Sequence, residues 1–347
     1  MHLPKGALAV AVSSELIYKI NEHQSGEEVL DLSGNGLTEA SIRDLSQALK
    51  DNRHIKRIDL SRNDIGNNGV VLLLKACPNL IELNLSNNHI TKEGTALAFL
   101  ASNSSLKFLD LSANDIGDGI TNFVNNESLE ELDLEECGIK DAGAEEIFRN
   151  KNLKRLNLAS NGISDAGLTT LPQNTTLKVL SLHQNRIALA GAVLISQNET
   201  LRSVDLFSNN LGPDGAAALA KNNKIEALYL GQNGIGNTGV ANFGSHASIE
   251  RLGLFNNEID VRGIESFAKN EKLCYLDLTF NQLDPSCLSV FASVKNLTEL
   301  FLSGNEISSE NSRTLLSAFK KSKLESLELD DVTIDCTERS NSKKQKF

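Results

Sequence analysis

Leucine-like and polar residues alternate in short bursts that recur along the whole chain. LDLSGNGL ends at Leu37, IDLSRNDI at Ile65, LNLSNNHI at Ile90 and LDLSANDI at Ile116. Later copies close at Ile139, Ile163, Ile187, Leu211, Ile235, Ile259, Leu283 and Ile307, and a degraded LELDDVTI closes at Ile334. A two-residue period sends successive side chains to opposite faces of a strand. The leucines of each burst therefore enter a core, and the residues between them are displayed.

Each burst runs into an anchor: Asn35, Asn63, Asn88, Asn114, Cys137, Asn161, Asn185, Asn209, Asn233, Asn257, Asn281 and Asn305, with Val332 in the thirteenth place. From Cys137 to Asn305 the spacing is a constant 24 residues. An asparagine where the chain bends out of a strand can satisfy backbone groups of its own and the adjacent turn, and Cys137 is a small substitute there. Six residues on stand Gly69, Gly94, Gly143, Gly167, Gly191, Gly215, Gly239 and Gly263, which should let the following helix start close to its neighbour. Ten residues after the anchor a large apolar side chain (Leu171, Ile195, Leu219, Phe243, Phe267, Phe291) should face inward. Asn150, Asn174, Asn198, Asn222 and Asn270, thirteen after the anchor, are expected to end each helix in the left-handed conformation.

A unit of form LxxLxLxxNxI at this period is identified as a leucine-rich repeat. From about Glu27 to Ile334 the chain resembles the ribonuclease-inhibitor-like class. The resemblance rests on LxLxxN, the glycine six after the anchor and the Leu-Ala pair ten after it, as in Leu219-Ala220. The uniform unit resembles bacterial members of the class, including effectors delivered into host cells. The resemblance implies an α/β fold: a right-handed horseshoe solenoid with a parallel sheet on the concave face and helices on the convex face. It also implies a curved binding scaffold. An end repeat exposes its apolar side, so residues 1–26 are expected to form a helical cap, 27–336 the repeat domain of about thirteen units, and 337–347 a disordered tail. The thin C-terminal cover leaves a monomer with weak self-association at that end as the expectation.

Composition narrows the function. The formal charge of −11 disfavours nucleic acid and acidic membranes as partners, because phosphate binding needs clustered Lys and Arg. A protein with a basic surface fits better. Five scattered cysteines without a CxxC suggest reduced thiols rather than a disulfide framework or a zinc site. The apolar stretch GALAVAV near the N-terminus is too short to read as a secretion signal, and nothing resembles a membrane span. A cytoplasmic location follows, or, for an effector, secretion without such a signal.

Candidate chemistry is sparse. Gly234-Ile235-Gly236-Asn237-Thr238-Gly239 matches GxGxxG, but Gly66, Gly117 and Gly212 occupy the place of Gly236, so the motif belongs to the repeat. The histidines show no paired spacing, so no metal, cofactor or catalytic residue is assigned. Sequons at Asn84, Asn103, Asn126, Asn174, Asn198 and Asn296 read as coincidence in an Asn-rich chain. The displayed positions are more informative. Early strands carry an acidic and amide track that includes Asp110 and Asp133. In repeats eight to twelve Phe207, Tyr229, Phe255, Tyr275, Phe280 and Phe301 take exposed strand positions, beside His183, Asp205 and Asp277. Aromatic rings gathered on a solvated face mark interaction sites. The expected function is a non-enzymatic scaffold that grips a partner protein there. The alternative is a regulator of a small GTPase or of ubiquitin transfer acting through the repeat surface.

Overall fold

The computed structural model describes residues 29–307, 319, 322–330 and 332–335. The expected N-terminal cap and C-terminal tail lie outside them. The chain divides into two compact units, Met1–Ser181 and Leu182–Phe347.

The described residues of the first unit form seven strands that follow chain order: β1 (Leu30–Asp31), β2 (Arg57–Asp59), β3 (Glu82–Asn84), β4 (Phe108–Asp110), β5 (Glu131–Asp133), β6 (Arg155–Asn157) and β7 (Val179–Ser181). Each pairs with the next in parallel, in a register that sets repeat over repeat, as in Leu132 opposite Leu156. The second unit continues with β8 (Ser203–Asp205), β9 (Ala227–Tyr229), β10 (Arg251–Gly253), β11 (Tyr275–Asp277), β12 (Glu299–Phe301) and β13 (Ser326–Leu329), again parallel. The expected α/β solenoid of parallel strands alternating with helices is therefore present, and its thirteen parallel strands match the thirteen bursts.

The thirteenth unit departs from expectation at its end. Val332 is no anchor: Val332–Asp335 forms β14, which turns back and pairs antiparallel with β13. With no asparagine to hold an outward turn, the chain closes on itself as a hairpin.

Leucines of the strands fill the core, with Leu83, Leu85, Leu109, Leu111, Leu228, Leu230, Leu276 and Leu278 fully buried. The residues ten after the anchor complete it: Leu171, Ile195, Leu219, Phe243, Phe267 and Phe291 are all buried. Glu39–Leu49 and Gly66–Ala76 form α-helices of 11 residues. Later repeats hold eight helical residues or fewer in one piece, several of them 3₁₀, as in Gly117–Phe123 and Asp165–Leu168. A 24-residue unit leaves little chain once the strand and two turns are made.

The anchors bond to backbone groups of their own and adjacent turns. Asn63 Oδ1 accepts from the amides of Asn35 (3.1 Å) and Leu37 (2.8 Å) one repeat earlier. Its Nδ2 donates to the carbonyls of Leu32 and Leu60. Asn88, Asn114 and Asn161 in the first unit, and Asn209, Asn233, Asn257, Asn281 and Asn305 in the second, repeat parts of this pattern, and Asn185 Nδ2 donates to the Leu182 carbonyl. Cys137 takes the place with Sγ 3.1 Å from the Leu111 carbonyl.

Two expectations need correction. Asn174 and Asn270 leave their helices with extended backbone (φ −71° and −72°), and Asn150, Asn198 and Asn222 also lack positive φ. They form a second ladder instead. Asn150 is buried, donates to the Phe123 and Asn126 carbonyls (both 2.9 Å), and accepts from the amides of Asn152 and Leu153. The left-handed residue stands one place before each anchor, at Arg62, Asn87, Ala113, Glu136, Ser160, Gln184, Ser208, Gln232, Asn256 and Phe280. Of the repeat glycines, Gly143, Gly167, Gly239 and Gly263 do abut the preceding repeat: a Cβ on Gly239 would lie 3.0 Å from Pro213 Cα. Gly94 is the exception, exposed at φ +84°.

Candidate functional site

The displayed row of the sheet has a backbone duty that alternation alone does not reveal. The side chain at the centre of the row accepts from the amide two residues on, closing the strand exit as an Asx turn. In the first unit Asp59 holds Ser61 N (2.9 Å), Asp110 holds Ser112 N (2.8 Å) and Asp133 holds Glu135 N (3.0 Å). In the second Asp205 holds Phe207 N and Asp277 holds Thr279 N, both at 2.9 Å. The acidic track is thus a third ladder. Burial raises the pKa of Asp110 and of Asp205, against the hydrogen bonds that lower it. Asn157 Nδ2 bridges both oxygens of Asp133 at 3.1 Å, and Arg57–Glu82 and Arg155–Glu131 pairs flank the row.

Repeat seven lacks the cap, its Ser181 hydroxyl being buried without a partner, and in repeats nine, ten and twelve the central residues are Tyr229, Gly253 and Phe301, which offer neither carboxylate nor amide. Here the rings gather. Tyr229, Tyr275 and Phe301 stand on β9, β11 and β12, as expected. Phe207 and Phe255 lie two residues beyond the ends of β8 and β10, and Phe280 occupies the left-handed turn after β11 (φ 54°), so these three stand past the strand ends and not on the strands. Phe280 is 57% exposed, and the other five rings and His183 are half-buried, so none has withdrawn into the core.

The rings are held against one another. Phe207 and Phe255 have centroids 5.9 Å apart although they belong to alternate repeats, because Gly231 lies between them. A Cβ on Gly231 would come within 2.6 Å of Phe207 Cδ2 and 3.1 Å of Phe255 Cβ. Phe280 meets Phe255 edge-on at 5.4 Å and leans over Gly304, and Tyr229 leans over Gly253. A second cluster pairs Tyr275 with Phe301 at 5.1 Å. The Arg251 guanidinium stacks 4.0 Å over Tyr275 and reaches Glu299 at 3.3 Å. Burial, then the charge of Asp277, pushes the Tyr275 phenol up to about 12. His183 acts electrostatically on Asp205.

The second unit therefore brings together Phe207, Phe255 and Phe280 as one cluster and Tyr275 and Phe301 as another, with Tyr229 over Gly253 and with Asp205 and Asp277 as strand caps. Asp110 and Asp133 belong to the first unit. Arg251, Glu299, Gly231, Gly253 and Gly304 were missed by sequence reasoning. The row Ala227, Arg251, Tyr275, Glu299, read at the 24-residue period, carries the signal for the first two. Among the described residues no group of three or more His, Cys, Asp or Glu side chains could hold a metal, and no helix is long and apolar enough to cross a membrane.

Comparison with known proteins agrees with this architecture. Family profiles described as leucine-rich repeat match residues 51–74, 76–95, 102–120, 125–148, 149–171, 173–196, 197–220 and 221–244, and residues 247–307. Ribonuclease inhibitor of Mus musculus is 32% identical over 124 residues, 32% of this chain and 27% of that protein. NACHT, LRR and PYD domains-containing protein 13 of Homo sapiens is 33% identical over 132 residues, 35% of this chain and 13% of that protein. The aligned stretch thus spans well under a third of either relative. Among solved structures, an internalin (inlF) from Listeria monocytogenes superposes with a TM-score of 0.59 at 21% identity, covering 92% of this chain and 89% of that one, which shows the shared fold. The repeated strand, anchor and helix, and profiles that match more than half of the residues, place the chain in the leucine-rich repeat family, with similarity to ribonuclease inhibitor.

Proposed function

We propose that the exposed sheet face of repeats eight to twelve docks another protein, and that the chain is a non-enzymatic scaffold. Leucine-rich repeat proteins typically act as scaffolds for protein–protein interaction. The observation that carries the reading is the replacement of the strand-exit cap by Tyr229, Gly253 and Phe301. Asp59, Asn84, Asp110, Asp133, Asn157, Asp205 and Asp277 serve the backbone at that place, so the rings of Tyr229 and Phe301 stand where other repeats carry a cap and are free of that duty. Rings already fixed against one another lose little conformational freedom on binding, which favours affinity. Asp205, Asp277 and Glu299 border the rings, so the partner should present basic residues around an apolar centre.

Affinity capture with the full chain, repeated with Tyr229→Ala plus Phe255→Ala, tests the reading. The expected result is a protein retained by the native chain and lost by the variant; equal retention contradicts the surface. Stimulated hydrolysis across a panel of small GTPases would instead favour a regulator, and the scaffold reading expects none. The effector form of the proposal rests only on the uniform 24-residue unit.

A further inference from the structure

In the second ladder one rung is not an asparagine. His246 stands thirteen residues after Asn233, where the neighbouring repeats have Asn222 and Asn270. Its ring is buried, and Nδ1 does the work of an asparagine oxygen, accepting from the amides of Ser248 (3.3 Å) and Ile249 (3.2 Å). The matching bonds of Asn222 and Asn270 reach 2.7 Å. Nε2 faces the Ala220 and Asn222 carbonyls of the preceding turn without good hydrogen-bond geometry.

The geometry points to His246 as an acid-sensitive joint in repeat nine. An amide oxygen cannot be protonated near neutral pH, whereas imidazole can. A proton on Nδ1 would set one donor against two backbone donors. Ser248 Oγ, 3.5 Å from Nδ1, already donates to the Ile225 carbonyl. Lys269, Glu271 and Lys272 line the groove that His246 shares, and the charged residues nearest in sequence on the two adjoining segments are Lys221, beside Ala220 and Asn222, and Glu250, after Ile249.

Burial, opposed by the two carbonyls, lowers the pKa of His246. A folded value below the unfolded one means that the opened segment binds a proton the closed one refuses. The contribution to stability is therefore complete above about pH 6.5 and is lost as the pH falls. β10 starts two residues after Ile249, carries Arg251 and Gly253, and leads to Phe255. Acid would thus loosen the strand at the middle of the aromatic surface, a regulatory consequence that rests on that surface being the docking site.

Amide exchange of the full chain between pH 7.5 and 5.5, corrected for intrinsic rates, tests the joint without any partner. Protection of Ser248 and Ile249 should fall by up to about tenfold per pH unit below pH 6.5. Lys224 and Ile225, held by Asn222, should keep theirs, and His246→Asn should abolish the fall. An unchanged slope in the variant, or an equal fall at Lys224 and Ile225, would overturn the inference. Nitrogen-resolved magnetic resonance of the native ring gives an independent check. A neutral ring with its proton on Nε2, titrating below pH 6.5, is expected, and an imidazolium at pH 7 contradicts the proposal.

Discussion

Asparagine carries this molecule at two kinds of position, and only one of them was legible as what it is. The anchor could be read because its residue type and spacing are nearly invariant along the chain. The second ladder was visible as a residue pattern but misassigned, since asparagine favours both the left-handed turn and the side-chain-to-backbone bond. Bonds such as Asn174 Oδ1 to the amides of Thr176 (3.0 Å) and Leu177 (2.9 Å) decide for the second. The same geometry explains why sequons recur: at Asn126 and Ser128 the hydroxyl helps to close the turn, and the asparagine is buried. The left-handed residue had no sequence signal, because Arg62, Ala113, Glu136 and Phe280 share no chemistry. At this scale, Asn257→Ala strips acceptors from the amides of Asn233 and Ile235 and a donor from the Leu230 carbonyl. Urea unfolding should show a loss of about 2–4 kcal/mol. Cys137→Asn should restore a full rung and raise stability by about 1 kcal/mol in the same assay. Burial pushes Cys77, Cys137 and Cys287 up to about 12, so these thiols should resist alkylation at pH 8 until the chain unfolds, as mass spectrometry would show.

At the scale of the element, the strand and its exit form one device. The leucine row, the capping aspartate and the left-handed residue before the anchor together turn the chain out of the sheet. Strand positions were legible from the period of two, and the helical stretches from the apolar residue ten after the anchor. Where each strand stops was not legible, because the alternation runs on past the paired residues of β8, β10 and β11, and that put Phe207, Phe255 and Phe280 on strands. The rings' neighbours were also hidden, since a glycine on a displayed row looks neutral until a ring is seen over it. Gly231→Val should therefore part Phe207 from Phe255 while leaving the leucine core intact. The nuclear Overhauser contacts between the two rings should vanish, with little change in the urea midpoint.

Over the whole molecule, function is a contrast between equivalent places. Twelve parallel strands follow the first in chain order, so each displayed side chain can be compared with its counterparts in the other repeats, 24 residues apart from Asp133 to Phe301. That comparison separates Asp110 and Asp133, which serve the backbone, from Tyr229 and Phe301, which do not. The formal charge of −11 and the carboxylates bordering the rings should speed association with a basic partner, so the association rate should fall as sodium chloride is raised from 50 to 500 mM, in the manner of about one to two decades seen for steered encounters. The most direct test is calorimetric titration of the captured partner against three chains: native, Tyr229→Ala plus Phe255→Ala, and Leu189→Ala, whose exposed side chain lies on the helix Leu189–Ser196. Two rings worth roughly 1–2 kcal/mol each predict an affinity about thirtyfold or more weaker for the double variant and unchanged for Leu189→Ala. Native affinity in the double variant, or a loss confined to Leu189→Ala, would contradict a docking site on the aromatic face.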